Sequence, residues 1–117
     1  MNLDKSKKLL EKSRELIPGL TQTFSRASSS FVEGVYPVYA QKAQGAYFWD
    51  VDGNEFLDYL MALGPITLGY NYKKVNDSVI NQLNDGILFS LPHPLELELS
   101  ELLCKLIPNV EMVKFAC

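Results

Sequence analysis

The side chains that could do chemistry are sparse in this chain, and most have settings that argue against it. Arg26 is the only charge in the run 21–30, which is otherwise rich in Ser and Thr. Its planar guanidinium offers a donor fork that fits a carboxylate bidentately, and a Ser/Thr loop can present it at a cleft. An ordinary surface arginine would have the same neighbours, so the residues alone leave both readings open. The lysines fall on polar helix faces, in turns or on alternating strands, and none has surroundings that would desolvate its amine and lower its pKa. Nor is there a Gly-rich run that could cradle a phosphate. His93 has an intrinsic pKa suited to proton transfer, yet a lone histidine between Pro92 and Pro94 reads as structural. Asp50, Asp52, Glu55 and Asp58 are close in sequence. Strand alternation divides them between two faces and Asp52 belongs to a turn, so no acid/base pair is expected. Cys104 and Cys117 form no CxxC pair, and His93 has no second histidine, so neither a disulfide framework nor a metal site is expected.

The elements that must position these residues can be read from periodicity and punctuation. Residues 4–17 read as a helix with Asp4 as cap, Leu9, Leu10, Leu16 and Ile17 on one face, and Pro18-Gly19 as the stop. The run 21–30 is loop. Residues 36–58 form a β-ribbon: Tyr36 to Tyr39 leads to a turn at Gln44-Gly45, a strand follows over 46–51, and Asp52-Gly53 marks a two-residue type I′ hairpin before a strand over 54–58. Trp49, Phe48, Phe56, Leu57 and Tyr59 load this ribbon with apolar surface that needs cover. Gly64-Pro65 and Gly69 punctuate a turn-rich connection. Asn71 is placed to cap a helix with Val75, Val79, Ile80 and Leu83 on one face and Gly86 just past its end. A second helix runs over 94–107, opened by Pro94, closed by Pro108-Asn109, with Leu95, Leu99, Leu102, Leu103 and Leu106 at core spacing. Met112 to Cys117 reads as a strand, and a strand after a helix in an α/β fold is normally followed by a turn and another helix, so the chain looks interrupted.

Composition narrows the classes of function. The chain has 117 residues, 47% hydrophobic, 21% charged, with a formal net charge of −3. One domain's worth of core is available, and the mild acidity gives no electrostatic reason to expect nucleic acid or an anionic membrane as partner. No apolar run approaches the roughly 20 residues needed to span a bilayer. The lysine-rich start is interleaved with Asp4, Glu11 and Glu15, unlike an organelle presequence, so a cytoplasmic location is expected.

One ordered series of motifs carries a family resemblance. From Gly45 to Tyr59 the chain reads Gly-Ala-Tyr-Phe-Trp-Asp-Val-Asp-Gly-Asn-Glu-Phe-Leu-Asp-Tyr, followed by Gly64-Pro65 and Leu68-Gly69-Tyr70-Asn71-Tyr72. This resembles the signature ribbon of class III aminotransferases. Ile17-Pro18-Gly19, Ser25-Arg26-Ala27, and the stretch from Phe89 to Leu102 are similar to the glutamate-1-semialdehyde aminomutase branch. Val110 to Phe115 looks like the first strand of its large domain. The resemblance runs from about residue 14 to 117.

The resemblance implies the N-terminal portion of an α/β fold-type I transferase that uses pyridoxal 5'-phosphate, usually as a homodimer, acting on a small substrate that carries a carboxylate. It divides the chain into an N-terminal helix and substrate-side loop (1–33), a small-domain ribbon (34–60), connecting turns and a helix (61–93), and the start of the large cofactor-binding domain (94–117). Amino transfer in the family proceeds through a lysine Schiff base. The phosphate loop, the ring-stacking aromatic, the acid on the pyridine nitrogen and that lysine correspond to positions beyond residue 117, so no catalytic or cofactor-binding residue is expected in this chain. Arg26 matches the arginine that receives the substrate carboxylate. Leu63 stands where the aminomutase carries a tryptophan lining the substrate pocket, which implies a differently shaped pocket, and Phe24-Ser25 replaces the branch's usual proline and valine. The contrasting expectation is a non-catalytic truncated relative that acts as an interaction or dimerisation module.

Overall fold

The computed structural model describes residues 1–32 and 34–116. They fall into two compact units, Met1–Asp77 and Ser78–Cys117.

In the first unit, α1 runs over Asp4–Leu16. Its inward face is Leu3, Ser6 and Leu10, with Ser13 and Ile17 half-buried, while Leu9 and Leu16 are 41% and 67% exposed. The face therefore follows positions 3, 6, 10, 13 and 17: of the predicted face of Leu9, Leu10, Leu16 and Ile17, Leu10 and Ile17 turn inward and Leu9 and Leu16 do not. The cap also differs. Asp4 lies inside the helix, and Leu3 at the N-cap supplies no side-chain bond. The orphan amides of Lys5 and Ser6 instead donate to the Asp52 carboxylate at 2.7 and 2.9 Å, from a hairpin 46 and 47 residues away. Partial burial pulls the Asp52 carboxyl upward, but these bonds, the nearby Ser6 hydroxyl and the Lys5 charge outweigh it and hold its pKa below the usual carboxylate value. That buried Ser6 hydroxyl sits beside the carboxylate without reaching hydrogen-bond geometry. A further clamp, Asn54 Nδ2 to the Asn2 carbonyl at 2.6 Å, ties the same hairpin to the same helix end.

The segment after α1 winds through short 3-10 turns at Pro18–Leu20, Phe24–Arg26 and Ser28–Ser30, a locally bonded form of the loop its composition predicts. A three-stranded antiparallel sheet follows in the order β1-β2-β3: β1 Ala40–Gln44, β2 Tyr47–Asp50 and β3 Glu55–Leu57. The stretch 36–39 is not a strand as the ribbon reading had it. Pro37 has no N–H to give a ladder, and pairing begins only at Ala40. Phe48 and Phe56 face each other across β2 and β3 with ring centroids 5.1 Å apart, and Lys42 covers the Trp49 ring at 4.7 Å.

The β2–β3 connection is a three-residue loop, not the two-residue type I′ turn predicted. Asp50 donates its amide to the Asn54 carbonyl, Gly53 donates to the Asp50 carbonyl, and only Gly53 has a positive φ, +91°. The deciding residue is Asp50, 1% exposed, whose carboxylate accepts from the Asp52 and Asn54 amides and from Asn54 Nδ2. A buried carboxylate needs such donors, and three residues are required to bring them round it.

Beyond β3 the chain forms a loop closed at its neck. The Asp58 carboxylate accepts from the Leu60 and Met61 amides at 2.8 and 3.1 Å and from the Tyr70 hydroxyl. Leu60 is right-handed, but Met61, Ala62, Leu63 and Gly64 have φ of +47°, +53°, +66° and +112°, a left-handed turn built mainly from non-glycine residues. Each such residue costs roughly 1–2 kcal/mol, so the turn must be held from outside. At the far end Gly45 and Tyr70 exchange both backbone hydrogen bonds, at 2.9 and 2.8 Å. Gly69 makes that approach possible, because a Cβ there would lie 3.1 Å from the Gly45 oxygen. Asn71 does not cap the next helix as predicted. It takes a left-handed conformation, φ +55°, and its amide nitrogen donates to the Ala43 carbonyl at 2.6 Å, so that a β1 acceptor claims it first.

Helix α2, Lys73–Asp85, passes from the first unit into the second and stops at Gly86, φ +100°, as the sequence predicts. Val75, Val79, Ile80 and Leu83 share a face that stays about half exposed. Helix α3, Pro94–Leu106, opens with Pro94 at its first position. His93 is its cap: Nδ1 accepts from the Leu95 amide at 3.2 Å, and Glu96 reaches back to the His93 amide at 3.1 Å. Of the predicted core leucines only Leu103 is half-buried, whereas Leu95, Leu99, Leu102 and Leu106 are exposed. Residues 111–116 do not form the predicted strand, since no other strand among the described residues pairs with them; Cys117 lies outside the described residues.

Candidate functional site

A cavity of about 560 Å³ lies within the first unit. Leu3, Ser6 and Leu10 of α1 form one wall, Phe31 and Tyr36 another, and Phe48 of β2 a third. Phe31 and Tyr36 stack with centroids 4.2 Å apart, which makes their wall flat and apolar. Arg26, Asp58, Tyr70, Leu60 and Ala62 are also among the lining residues.

Arg26, the residue the sequence singled out, therefore reaches this cavity. It closes the 3-10 turn Phe24–Arg26, whose Arg26 amide donates to the Thr23 carbonyl at 2.9 Å. No carboxylate among the described residues lies within ion-pair range of its guanidinium. Asp58 shares the cavity, yet its oxygens are occupied by two amides and a phenol. Burial pushes the Asp58 carboxyl up, and those three donors together outweigh it and hold the pKa below the usual carboxylate range. The same bond raises the Tyr70 hydroxyl to about 12, helped by burial and the Asp58 charge and opposed by the charge of Arg26. Burial, and then the Asp58 charge, push Tyr36 up as well. At neutral pH the acid is thus ionised with three donors bound, and both phenols keep their protons. No proton-transfer pair is poised among the described lining residues.

Leu63 is placed otherwise. It lies in the left-handed turn, 64% exposed, outside the cavity lining, and its neighbour Ala62 lines the wall instead. His93 is committed to the α3 cap and stacks on Phe89 at 5.4 Å. Asp50 and Asp52 organise the hairpin and α1. Asp58 and Tyr70 are the cavity residues that sequence reasoning missed. A signal was present in an Asp at a strand end followed by a Gly-Pro-punctuated loop and Gly-Tyr, which is the residue set of a closed loop neck.

The cofactor implied by the resemblance does not fit this cavity's own residues. Pyridoxal phosphate needs a lysine amine and a set of unpaired amides for its phosphate. The lining lysine is Lys7, on the exposed side of α1, and the Leu60 and Met61 amides already serve Asp58. No chemical step through that group is assigned to these residues. Among the described residues there is also no cluster of potential metal ligands and no helix long and apolar enough to cross a membrane.

Comparison with known proteins gives a consistent picture. Residues 29–117 match the family described as Aminotransferase class-III. The glutamate-1-semialdehyde 2,1-aminomutase of Acetivibrio thermocellus is 40% identical over 114 residues, which is 97% of this chain and 26% of the relative. That of Nitrosomonas europaea is 42% identical over 109 residues, 93% of this chain and 25% of the relative. Among solved structures, an omega-transaminase from Sphaerobacter thermophilus superposes with a TM-score of 0.81 at 29% identity, covering 96% of this chain and 26% of its own. A FumI protein from a Sphingopyxis species, solved as its PLP internal aldimine, gives a TM-score of 0.83 at 25% identity, covering 93% and 26%. The chain thus spans about a quarter of the length of the relatives it matches, and has the fold of that portion of a fold-type I transferase. It belongs to the class III aminotransferase family.

Proposed function

We propose that this chain is the N-terminal portion of a pyridoxal-phosphate-dependent aminotransferase or aminomutase of the glutamate-1-semialdehyde type, and that its cavity is the substrate-side pocket in which Arg26 receives a carboxylate. The observation that carries this reading is an arginine with no acidic partner among the described residues, lining a mostly apolar cavity beside a carboxylate already bound by three other donors. Within it this chain's residues bind and orient. Arg26 holds the substrate's carboxylate, the Phe31–Tyr36 wall and α1 shield it from water, and amino transfer itself is supplied by the cofactor in the rest of the enzyme. Leu63 belongs to the turn from which its neighbour Ala62 lines the pocket. Residues 1–33 and 34–60 serve as arm and ribbon, 61–93 as the connection, and 94–117 as the opening of the large domain. The enzyme is a cytoplasmic homodimer, in keeping with the family.

In the full-length enzyme, Arg26→Ala should lower kcat/KM for a carboxylate substrate about 10- to 150-fold, the equivalent of one charge-assisted hydrogen-bonded pair. Arg26→Lys should recover part of that loss, because a point charge lacks the fork. An amine substrate without the carboxylate should be nearly indifferent to both changes. Equal losses on both substrates, or none on the carboxylate, would remove Arg26 from the site. The half-exposed apolar faces of α2 and α3 favour a second reading, a non-catalytic relative that docks on a full-length partner. Transaminase activity in the product of the complete reading frame excludes it.

A further inference from the structure

We propose that Asp58 is a positioning residue which, through the Tyr70 hydroxyl and the Leu60 and Met61 amides, holds the strained left-handed turn 61–64 as a wall of the substrate pocket. The inference rests on reading the cavity as that pocket, and three independent features support it. First, the backbone changes hand between Leu60 and Met61, and the Asp58 carboxylate takes the amides on both sides of that reversal, at 2.8 and 3.1 Å. Second, the same carboxylate accepts from Tyr70, whose backbone is fixed by its reciprocal bonds to Gly45, so that the loop between residues 58 and 70 is closed at its neck. Third, Leu60 and Ala62, on either side of the reversal, line the cavity with Arg26. Three local bonds, Leu63 to Leu60 and Gly64 and Ile66 to Met61, the last a long 3.4 Å, hold the turn from its own neighbourhood, and three consecutive non-glycine residues at positive φ would relax without a further hold. Asp58 therefore acts on the pocket's shape through the turn it holds, its own oxygens being engaged by three donors.

The test uses kinetics of the full-length enzyme on a carboxylate substrate and on an amine lacking the carboxylate. Asp58→Ala should raise KM for both about tenfold, the scale of losing hydrogen bonds to a charged acceptor, while kcat stays within about twofold. Adding Ala62→Gly to Asp58→Ala should recover at least about half of the loss, because glycine takes a positive φ without strain and no longer needs the hold. If Asp58→Ala does not fold, Tyr70→Phe removes one of the three donors and should give a rise of about threefold, again reduced by Ala62→Gly. An unchanged KM, a fall in kcat alone, or no recovery on adding glycine overturns the proposal. Failure of the Arg26 reading looks different. In that case Arg26→Ala affects carboxylate and amine substrates alike, or leaves the carboxylate substrate unaffected, while the Asp58 and Ala62 pair still behaves as described.

Discussion

Replacing Gly69 with alanine tests how the pocket loop is fastened to the ribbon. An added Cβ would sit 3.1 Å from the Gly45 oxygen and 3.2 Å from its carbonyl carbon and Cα, all backbone atoms. Backbone cannot rotate away like a side chain, so the Gly45–Tyr70 bridge must open by some tenths of an ångström at bonds now 2.9 and 2.8 Å long. The left-handed conformation of Gly69, φ +83°, adds roughly 1–2 kcal/mol for alanine. Losing one or both bridge bonds adds about 1 kcal/mol each, for a total of about 2–4 kcal/mol. Gly45→Ala is the control. Its φ is +58°, nothing lies within 4 Å of the Cβ position, and only the conformational cost of roughly 1–2 kcal/mol applies. Amide hydrogen exchange at Gly45 and Tyr70 in the full-length enzyme reads the local opening directly. At about 1.4 kcal/mol per factor of ten, Gly69→Ala should accelerate it about 30- to 700-fold and Gly45→Ala about 5- to 30-fold. Equal acceleration by the two variants would show that the close approach is immaterial, and that both glycines serve only their backbone angles.

The Asp52 clamp on α1 should be sensitive to acid. Because the Asp52 pKa is depressed in the folded chain, its contribution is complete above the unfolded value of about 3.9 and is lost as pH falls through the lower native value. Exchange protection of the Lys5 and Ser6 amides should therefore drop below about pH 4, and Asp52→Ala should abolish the protection at neutral pH; protection that ignores both changes would place the cap elsewhere. At the other helix, His93→Ala should destabilise the start of α3 by about 0.5–2 kcal/mol, read from exchange of the Leu95 amide. His93→Asp should preserve it, since a carboxylate there both accepts and complements the helix dipole.

What the sequence revealed and what it hid divide along the range of the interactions. Pro94 at the start of α3, Pro108 beyond it and Gly86 after α2 act within one turn of chain, and the structure places those boundaries where the sequence did. The start of β1 is set instead by its partner, since Pro37 cannot join a ladder and the register begins with Ala40 opposite Asp50. Asp52 caps a helix 46 residues upstream, and Asn71 leaves its predicted helix for a carbonyl 28 residues away. No window of local sequence contains either pair. The left-handed turn was hidden for a different reason. Met61, Ala62 and Leu63 have no intrinsic preference for positive φ, so only the fastening at Asp58 and Tyr70 accounts for it.

The same distinction explains why half of the candidate site was legible. Arg26 stood out by charge and motif, whereas Asp58 looked like one more acid on an alternating strand. Yet the state of the arginine depends on the acid. Both line one cavity, and an exposed Arg–Asp pair would have been the obvious outcome. Such a pair is worth about 0–1 kcal/mol near solvent, whereas each hydrogen bond to a carboxylate from a partly buried donor is worth about 1.5–3 kcal/mol. With two amides and a phenol already bound, Asp58 gains little by turning to Arg26 and would release a strained turn if it did. Binding the acid to neutral donors keeps it from pairing with Arg26, and no other carboxylate among the described residues lies within ion-pair range of the guanidinium. On the proposed reading, an incoming carboxylate then meets a cation with no ion-pair partner among the described residues, in a pocket whose shape Asp58 would maintain.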